Sequence, residues 1–303
     1  MTGLFVSSRA ADMNRKILPW IAAVFVVAVW AETFVSTKLL LNNGLLPPDI
    51  FFYRFLLAYL CIWIISPKRI WSYSWKDELR FLLLGITGGS LYFLAENSAL
   101  EFSTASNVAI LVGSAPLITA LLVGIFYREE RMRPRQVIGS VVAFMGMALV
   151  ILNGQLVLHV NPKGDAMAVG AALVWGIYSL LIRKLSGRYD VSFITRKVFA
   201  YGLLTMGLYF LAVRPLSVDM AILSRPVVWG NLIYLGLVAS LLCFVLWNWA
   251  LSKLGTIRTT NLIYGQCFFT MVIANLVLGE RITLMAVAGT VVLILGMILA
   301  VKE

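Results

Sequence analysis

Residues 128–148, REERMRPRQVIGSVVAFMGMA, and residues 278–298, LGERITLMAVAGTVVLILGMI, carry one pattern written twice at an offset of 150. Glu130 and Arg131 fall on Glu280 and Arg281, Gly139 falls on Gly289, and Gly146 falls on Gly296. Further out, an offset of 145 brings Trp30 onto Trp175 and Lys38 onto Arg183. Each half holds five apolar segments, an odd number, so the second half enters a bilayer inverted relative to the first. Inverted repeats of this kind are related by a pseudo-two-fold axis in the membrane plane. Secondary transporters use that symmetry to open one site to either side in turn.

The composition requires a membrane. Hydrophobic residues make up 61% of the 303 and charged residues 13%, against roughly 45–50% and about 25% in soluble domains. A helix needs about 20 apolar residues to cross the hydrocarbon. The runs near 17–41, 48–66, 79–100, 104–127, 135–153, 165–185, 189–213, 227–251, 256–278 and 283–301 meet that need. They are separated by breakers such as Asn42-Asn43-Gly44, Pro47-Pro48, Ser66-Pro67, Pro134, Asn161-Pro162 and Pro226. The expected fold is an all-α polytopic membrane protein with ten transmembrane helices in two inverted five-helix repeats. Its divisions are a cytoplasmic tail at 1–16, a first repeat at 17–153, an external linker at 154–164 and a second repeat at 165–303. Arg9, Arg15 and Lys16 precede the first run as in a signal peptide, but 17–41 is too long for a signal core and no small-x-small cleavage site follows it.

Lys and Arg set the direction. With the N-terminus inside, sixteen of them fall in cytoplasmic segments, and only Lys163, Arg214, Arg225 and Arg281 fall outside. The positive-inside rule therefore puts both termini in the cytoplasm, in a bacterial cytoplasmic membrane. The net charge of +11 does not indicate nucleic acid, because it is spread over short loops with no basic stripe. The partners to expect are a small-molecule solute and membrane lipid. Cys61, Cys243 and Cys267 lie inside apolar runs without metal spacing and read as buried thiols. No metal or cofactor is expected. The Gly139/Gly146 and Gly289/Gly296 pairs are seven residues apart, on one helix face each, and predict close helix packing within a protomer or across a homodimer.

Ionisable residues inside spans are costly and are functional candidates by default. Glu32 and Arg54 lie at similar depth just outward of the middle of their spans. A pair between them reads either as a static bridge or as a switch broken by solute or proton. Glu32 is the first candidate for proton coupling and Glu96, near the outer end of its span, the second. Arg196 enters span seven beside Lys197, and Lys38 and Arg183 read as snorkelling anchors. Positive residues outnumber acids within the spans, which favours an anionic or zwitterionic solute. Trp30 and Trp175 lie too deep for an interfacial belt. With Tyr92, Asn97, Asn107, Tyr178, Trp247, Asn248, Tyr264 and Gln266 they complete the expected cavity lining.

The order of these features resembles the ten-helix EamA branch of the drug/metabolite transporter superfamily over about residues 17–301. The resemblance rests on Trp30 with Lys38, Pro48 with Arg54, Ala99-Leu100, Pro116 and Glu129-Glu130-Arg131, then on Trp175-Gly176, Ala250-Leu251 and Gly279-Glu280-Arg281. It implies a secondary-active exporter of amino acids, related metabolites or drugs, working by alternating access at a cavity between the repeats. Departures are Gln266 where the repeat would match Pro116, Ala31 where glycine is usual, and the acids Glu32 and Glu96. Gln266 in place of proline predicts that the two fourth spans bend differently. Glu32 also resembles the membrane-embedded acid of the small multidrug resistance family, which implies proton/cation antiport as an alternative. A second alternative is an intramembrane lipid-modifying enzyme. Against it, His159 is the single histidine, it lies in the linker, and no nucleophile or metal constellation accompanies it. A channel would need a filter-like lining, which is absent, and no phosphate-binding loop for ATP occurs.

The topology predicts that His159→Cys, in a chain otherwise free of cysteine, is labelled by an impermeant thiol reagent from outside the cell. Labelling from inside alone would reverse the orientation.

Overall fold

The computed structural model describes residues 2–67, 70–103, 105–127, 133–152, 161–217, 219–269, 272 and 283–301, and of 2–16, 105–107 and 301 the backbone only. Every element among them is helical. The first half runs through α1 (Thr2–Asn42), α2 (Pro47–Ile65), α3 (Trp75–Gly85), a π-helical turn (Ile86–Ser90), α4 (Leu91–Phe102), α5 (Ala105–Val112), α6 (Ala115–Phe126) and α7 (Pro134–Leu152). The second runs through α8 (Pro162–Arg183), α9 (Val191–Ala212), α10 (Met220–Leu223), α11 (Pro226–Ile233), a π-helical segment (Tyr234–Leu242) and α12 (Cys243–Leu254). It continues through α13 (Thr256–Asn261), a 3₁₀ turn (Leu262–Gly265) and α14 (Leu284–Val301). His159, Glu129-Glu130-Arg131 and Gly279-Glu280-Arg281 lie outside the described residues.

Among the described residues, seven helical stretches are long and apolar enough to cross a bilayer: Ile17–Asn42, Pro47–Ile65, Trp75–Phe102, Val108–Phe126, Pro134–Leu152, Pro162–Arg183 and Pro226–Leu254. Leu284–Ala300 is a shorter apolar helix. Leu284, Leu211 and Ile64 stand 90%, 87% and 82% exposed, a surface that only lipid can cover without aggregation. The protein is an integral, multi-pass membrane protein. Helix α1 extends back to Thr2, so residues expected as a tail continue the first helix.

Local chemistry sets the helix ends. Pro47 and Pro48 open α2, where the missing N–H would have no partner anyway. The Asn161 side chain accepts from the N–H groups of Lys163 and Gly164 at 3.2 Å each and caps α8. Gly255 takes φ +85° where the chain turns from α12 into α13, a conformation that disfavours a side chain.

The two halves share their irregularities. The third span of each is interrupted by π-helical geometry, at Ile86–Ser90 and at Tyr234–Leu242. Each half also carries a later break, at Gly113-Ser114 ahead of Pro116 and at the 3₁₀ turn Leu262–Gly265. Gln266 therefore does not spare its span a break. It changes the form of the break, from a proline-led restart to a tightened turn.

The glycine pairs make a seam between α7 and α14. A Cβ on Gly139 would lie 2.3 Å from the Ala300 nitrogen, one on Gly146 2.3 Å from the Leu293 nitrogen, and one on Gly296 2.2 Å from the Ala143 nitrogen. Backbone meets backbone there, so these glycines join α7 of the first half to α14 of the second within one chain. Gly146→Ala or Gly296→Ala must push the helices apart and is expected to cost about 1–3 kcal/mol, read as a lower melting temperature in detergent. Gly170→Ala, where a Cβ meets nothing within 4 Å, should be neutral or slightly stabilising. Equal effects at all three positions would refute the seam.

Candidate functional site

The breaks and the central tryptophans converge. Trp30 from α1 and Trp175 from α8, mates across the repeat, meet edge to face with ring centroids 5.5 Å apart. Trp30 also packs on Trp247 at 5.0 Å, and Tyr92 packs on Trp175 at 5.0 Å. Trp30 is fixed at two points: its Nε1 donates to the Ala239 carbonyl at 2.9 Å, and its own carbonyl accepts from Gln266 Nε2 at 2.9 Å. Ala239 belongs to the π-helical segment, a distortion that frees carbonyls from the regular helical ladder.

Beside this cluster lies a cavity of about 40 Å³, lined by Trp30, Thr33, Phe34, Arg54, Tyr92, Phe93, Glu96, Val112, Ala115, Trp175, Phe244, Ile263 and Gln266. Val112 and Ala115 flank the break at Gly113-Ser114, and Ile263 and Gln266 lie at the 3₁₀ turn, so the site sits where the helices are discontinuous. At roughly 10–15 Å³ per water this volume has room for a few waters.

The structure gathers some of the expected residues and disperses others. Trp30, Arg54, Tyr92, Glu96, Trp175 and Gln266 line the cavity. Glu32 does not: it is half-buried on the flank of α1 within electrostatic reach of Tyr234. No Glu32–Arg54 ion pair forms, although both residues are described. Matched depth failed as a guide because the two side chains leave their helices in different directions. Arg54 instead donates from Nε to Ser240 Oγ at 2.9 Å and lies over the Phe93 ring at 4.4 Å. Tyr92 donates to Glu96 Oε1 at 2.7 Å.

Asn97 is fully buried away from the cavity and donates to the Pro47 carbonyl at 3.3 Å, tying α4 to α2. Tyr178 donates to Asn248 Oδ1 at 2.7 Å, and Asn248 donates to Thr195 Oγ1 at 3.0 Å. This buried chain joins α8, α12 and α9 behind the tryptophan wall. Trp247 backs the wall without lining the cavity, and Tyr264 is buried with Met147, Cys267 and Leu293. The Asn107 side chain lies outside the described residues. Lys38 donates to the Leu100 carbonyl. Phe93, Phe244 and Ser240 were missed from sequence. An offset of 151 pairs Phe93 with Phe244 and was a legible signal, whereas Ser240 has none.

Buried ions clamp α9 at both ends. At the end carrying residues 66–80, Glu78 accepts from Lys197 Nζ at 2.8 and 2.9 Å, from the Ser72 N–H at 2.7 Å, and from the Tyr201 hydroxyl. Asp77 accepts from Arg80, Arg188 and Tyr189 beside it. Arg196, expected near the cavity, donates to the Ser66 carbonyl at this end and lies 4.3 Å over the Trp63 ring. At the opposite end Arg214 pairs with Asp49, and Tyr53 donates to the Ser217 carbonyl at 2.7 Å.

Discontinuous helices meeting at a buried aromatic cavity are a feature of membrane transporters. The chain belongs to the EamA-like transporter family, whose profile matches residues 18–152 and 162–302, within the drug/metabolite transporter superfamily. That family comprises transporters and efflux pumps, not enzymes. The chain is similar to an uncharacterized transporter of Archaeoglobus fulgidus, 27% identical over 91% of this chain and 94% of the relative. It is also similar to a probable terminal-alkyne amino-acid exporter of Streptantibioticus cattleyicolor, 27% identical over 92% and 91%. A third relative is a probable amino-acid metabolite efflux pump of Escherichia coli, 26% identical over 94% of each chain. One solved crystal structure shares the fold, with a TM-score of 0.71 over 94% of this chain and 96% of that one at 16% identity.

Glu78→Gln would strand the buried Lys197 ammonium and should cost about 3–5 kcal/mol, seen as a fall in melting temperature. Adding Lys197→Met should recover part of that loss. An unchanged melting point in the single variant would show that the clamp does not hold α9.

Proposed function

We propose that this protein is a secondary-active exporter of amino acids, related small metabolites or drugs, working by alternating access at the cavity around Trp30 and Trp175. In this reading ten helices form two inverted five-helix repeats, at 17–153 and 165–303, in a bacterial cytoplasmic membrane with both termini cytoplasmic. The observation that carries it is that one cavity is built from repeat mates. Trp30 stands with Trp175, Phe93 with Phe244, and the two fourth-span breaks close it from either half. A site on the pseudo-symmetry axis presents equivalent walls to both faces of the membrane. The names of the relatives from Streptantibioticus cattleyicolor and Escherichia coli support amino-acid export. In this reading a solute enters when the halves part on one side.

Of the two candidate coupling acids, Glu96 now leads, because it faces the cavity and Glu32 does not. In reconstituted vesicles, counterflow against a panel of amino acids, organic acids, nucleosides and cationic drugs is expected to saturate for at least one class. Conduction without counterflow, or chemical conversion of the solute, would refute the reading. Where accumulation follows a pH gradient, Glu96→Gln should abolish it while sparing exchange, and Glu32→Gln should leave it largely intact. The reverse pattern would return the coupling role to Glu32.

A further inference from the structure

A second cavity, of about 720 Å³ and open to the surface, lies at the end of the molecule that carries residues 66–80. It shares no lining residue with the cavity around Trp30. The end of α2, the 186–190 connection, the first turn of α9 and the last turn of α12 enclose it. Its wall suits an oxyanion. Ser66 is 9% exposed, and its hydroxyl makes no hydrogen bond among the described residues, although it is not sealed from the cavity. An unpartnered hydroxyl at that depth marks a place for a bound group. The Ser192 hydroxyl is likewise unpartnered, on the opening turn of α9, where the first N–H groups have no acceptor within the helix. Lys253 is exposed at the end of α12 and makes no hydrogen bond or ion pair among the described residues. Arg188 gives Nη1 to Asp77 at 3.1 Å and keeps Nε and Nη2 open. Asp190 is the one acid in the described lining, so cations exceed acids there.

The rim adds an apolar half to this site. Ile65 lines the cavity and is 56% exposed, Ile64 beside it protrudes further, and Trp71, Tyr73 and Trp75 stand exposed at the same end. Aromatic side chains in this setting mark the level where headgroups meet acyl chains. A soluble phosphate compound would use the cations and leave the rim bare, whereas a phospholipid covers both. We propose that this cavity holds the headgroup of an anionic phospholipid. Its phosphate sits on Ser66, Ser192, Arg188 and Lys253, and its acyl chains run along α2 at Ile64 and Ile65. Charge-assisted hydrogen bonds to the phosphate oxygens supply the attraction, as in basic pockets between spanning helices that take acidic headgroups. A headgroup with one net negative charge cancels the excess of cations. A headgroup that brings its own cation offers that charge to Asp190 alone and leaves the excess standing. The lipid bridges α2, α9 and α12, and its site does not rest on the transport reading.

The test is native mass spectrometry of the full chain released from detergent, titrated with phosphatidylglycerol and with phosphatidylcholine of the same acyl chains. Phosphatidylglycerol should bind at least about tenfold tighter, the scale of one charge-assisted hydrogen bond. Lys253→Gln, which breaks no contact within the described chain, should remove most of that preference, and Lys253→Arg should retain it. Ser66→Ala should weaken phosphatidylglycerol binding about threefold. Lys184→Gln removes the same charge from the same end but outside the lining, and should change binding by no more than about twofold. Should Lys253→Gln not fold, the lipid ranking and Ser66→Ala decide. Glycerol 1-phosphate, a headgroup without chains, should bind at least about a hundredfold more weakly, the worth of a few buried methylenes. Equal binding of the two lipids, a preference untouched by Lys253→Gln and Ser66→Ala, or an equal loss with Lys184→Gln would each overturn the proposal. Glycerol 1-phosphate binding as tightly as the lipid would overturn it as well, and would make the cavity a site for a soluble phosphate.

Discussion

Inside a bilayer the hydrophobic effect does not press one helix against another, because lipid tails are as apolar as leucine side chains. The two halves of this chain must therefore be joined by contacts that lipid cannot supply. Two kinds are present. The α7–α14 seam uses glycine to bring backbone onto backbone, where dispersion is strongest and any added carbon is refused. The clamps on α9 use buried ions, with Lys197 on Glu78 at one end and Arg214 on Asp49 at the other. The cavity lies among the helices that these contacts hold together.

Between them the helices are deliberately imperfect. The π-helical segment of the second half offers the Ala239 carbonyl to Trp30 and the Ser240 hydroxyl to Arg54. Irregular backbone is tolerated at membrane depth only where protein or a polar cavity satisfies it, and here the broken spans are placed around one such cavity. Their appearance at corresponding places in both halves ties them to the repeat. Under the proposed cycle the tryptophan wall parts first toward one face and then toward the other.

Much of this was legible in the residues. The spacing of Gly139 with Gly146 and of Gly289 with Gly296 announced a close helix contact, and the symmetry of Trp30 and Trp175 announced a shared centre. Arg54 drew attention by the cost of a charge within a span and by its place after Pro48. The ranking of Glu32 above Glu96 did not hold as geometry, since depth along a helix says nothing about the direction a side chain leaves it. The long-range cations that meet Asp49, Asp77 and Glu78, namely Arg214, Arg188 and Lys197, lie more than a hundred residues away, and nothing local in the sequence names them. The π-helical segments have no compositional mark beyond Gly88 and Gly89 in the first, while the second reads as ordinary apolar helix. Tyr178 and Asn248 were expected in the cavity lining, but the structure uses them to bond helices together behind the site.

Access to the cavity from both faces of the membrane is the claim on which the functional reading turns. It is tested most directly by Thr33→Cys, a position in the cavity wall, in a chain otherwise free of cysteine and reconstituted in one orientation. An impermeant thiol reagent is added to one side or the other of sealed vesicles. Alternating access predicts modification from either side, slowed from both by a transported solute. Modification confined to one side under every solute condition would contradict it.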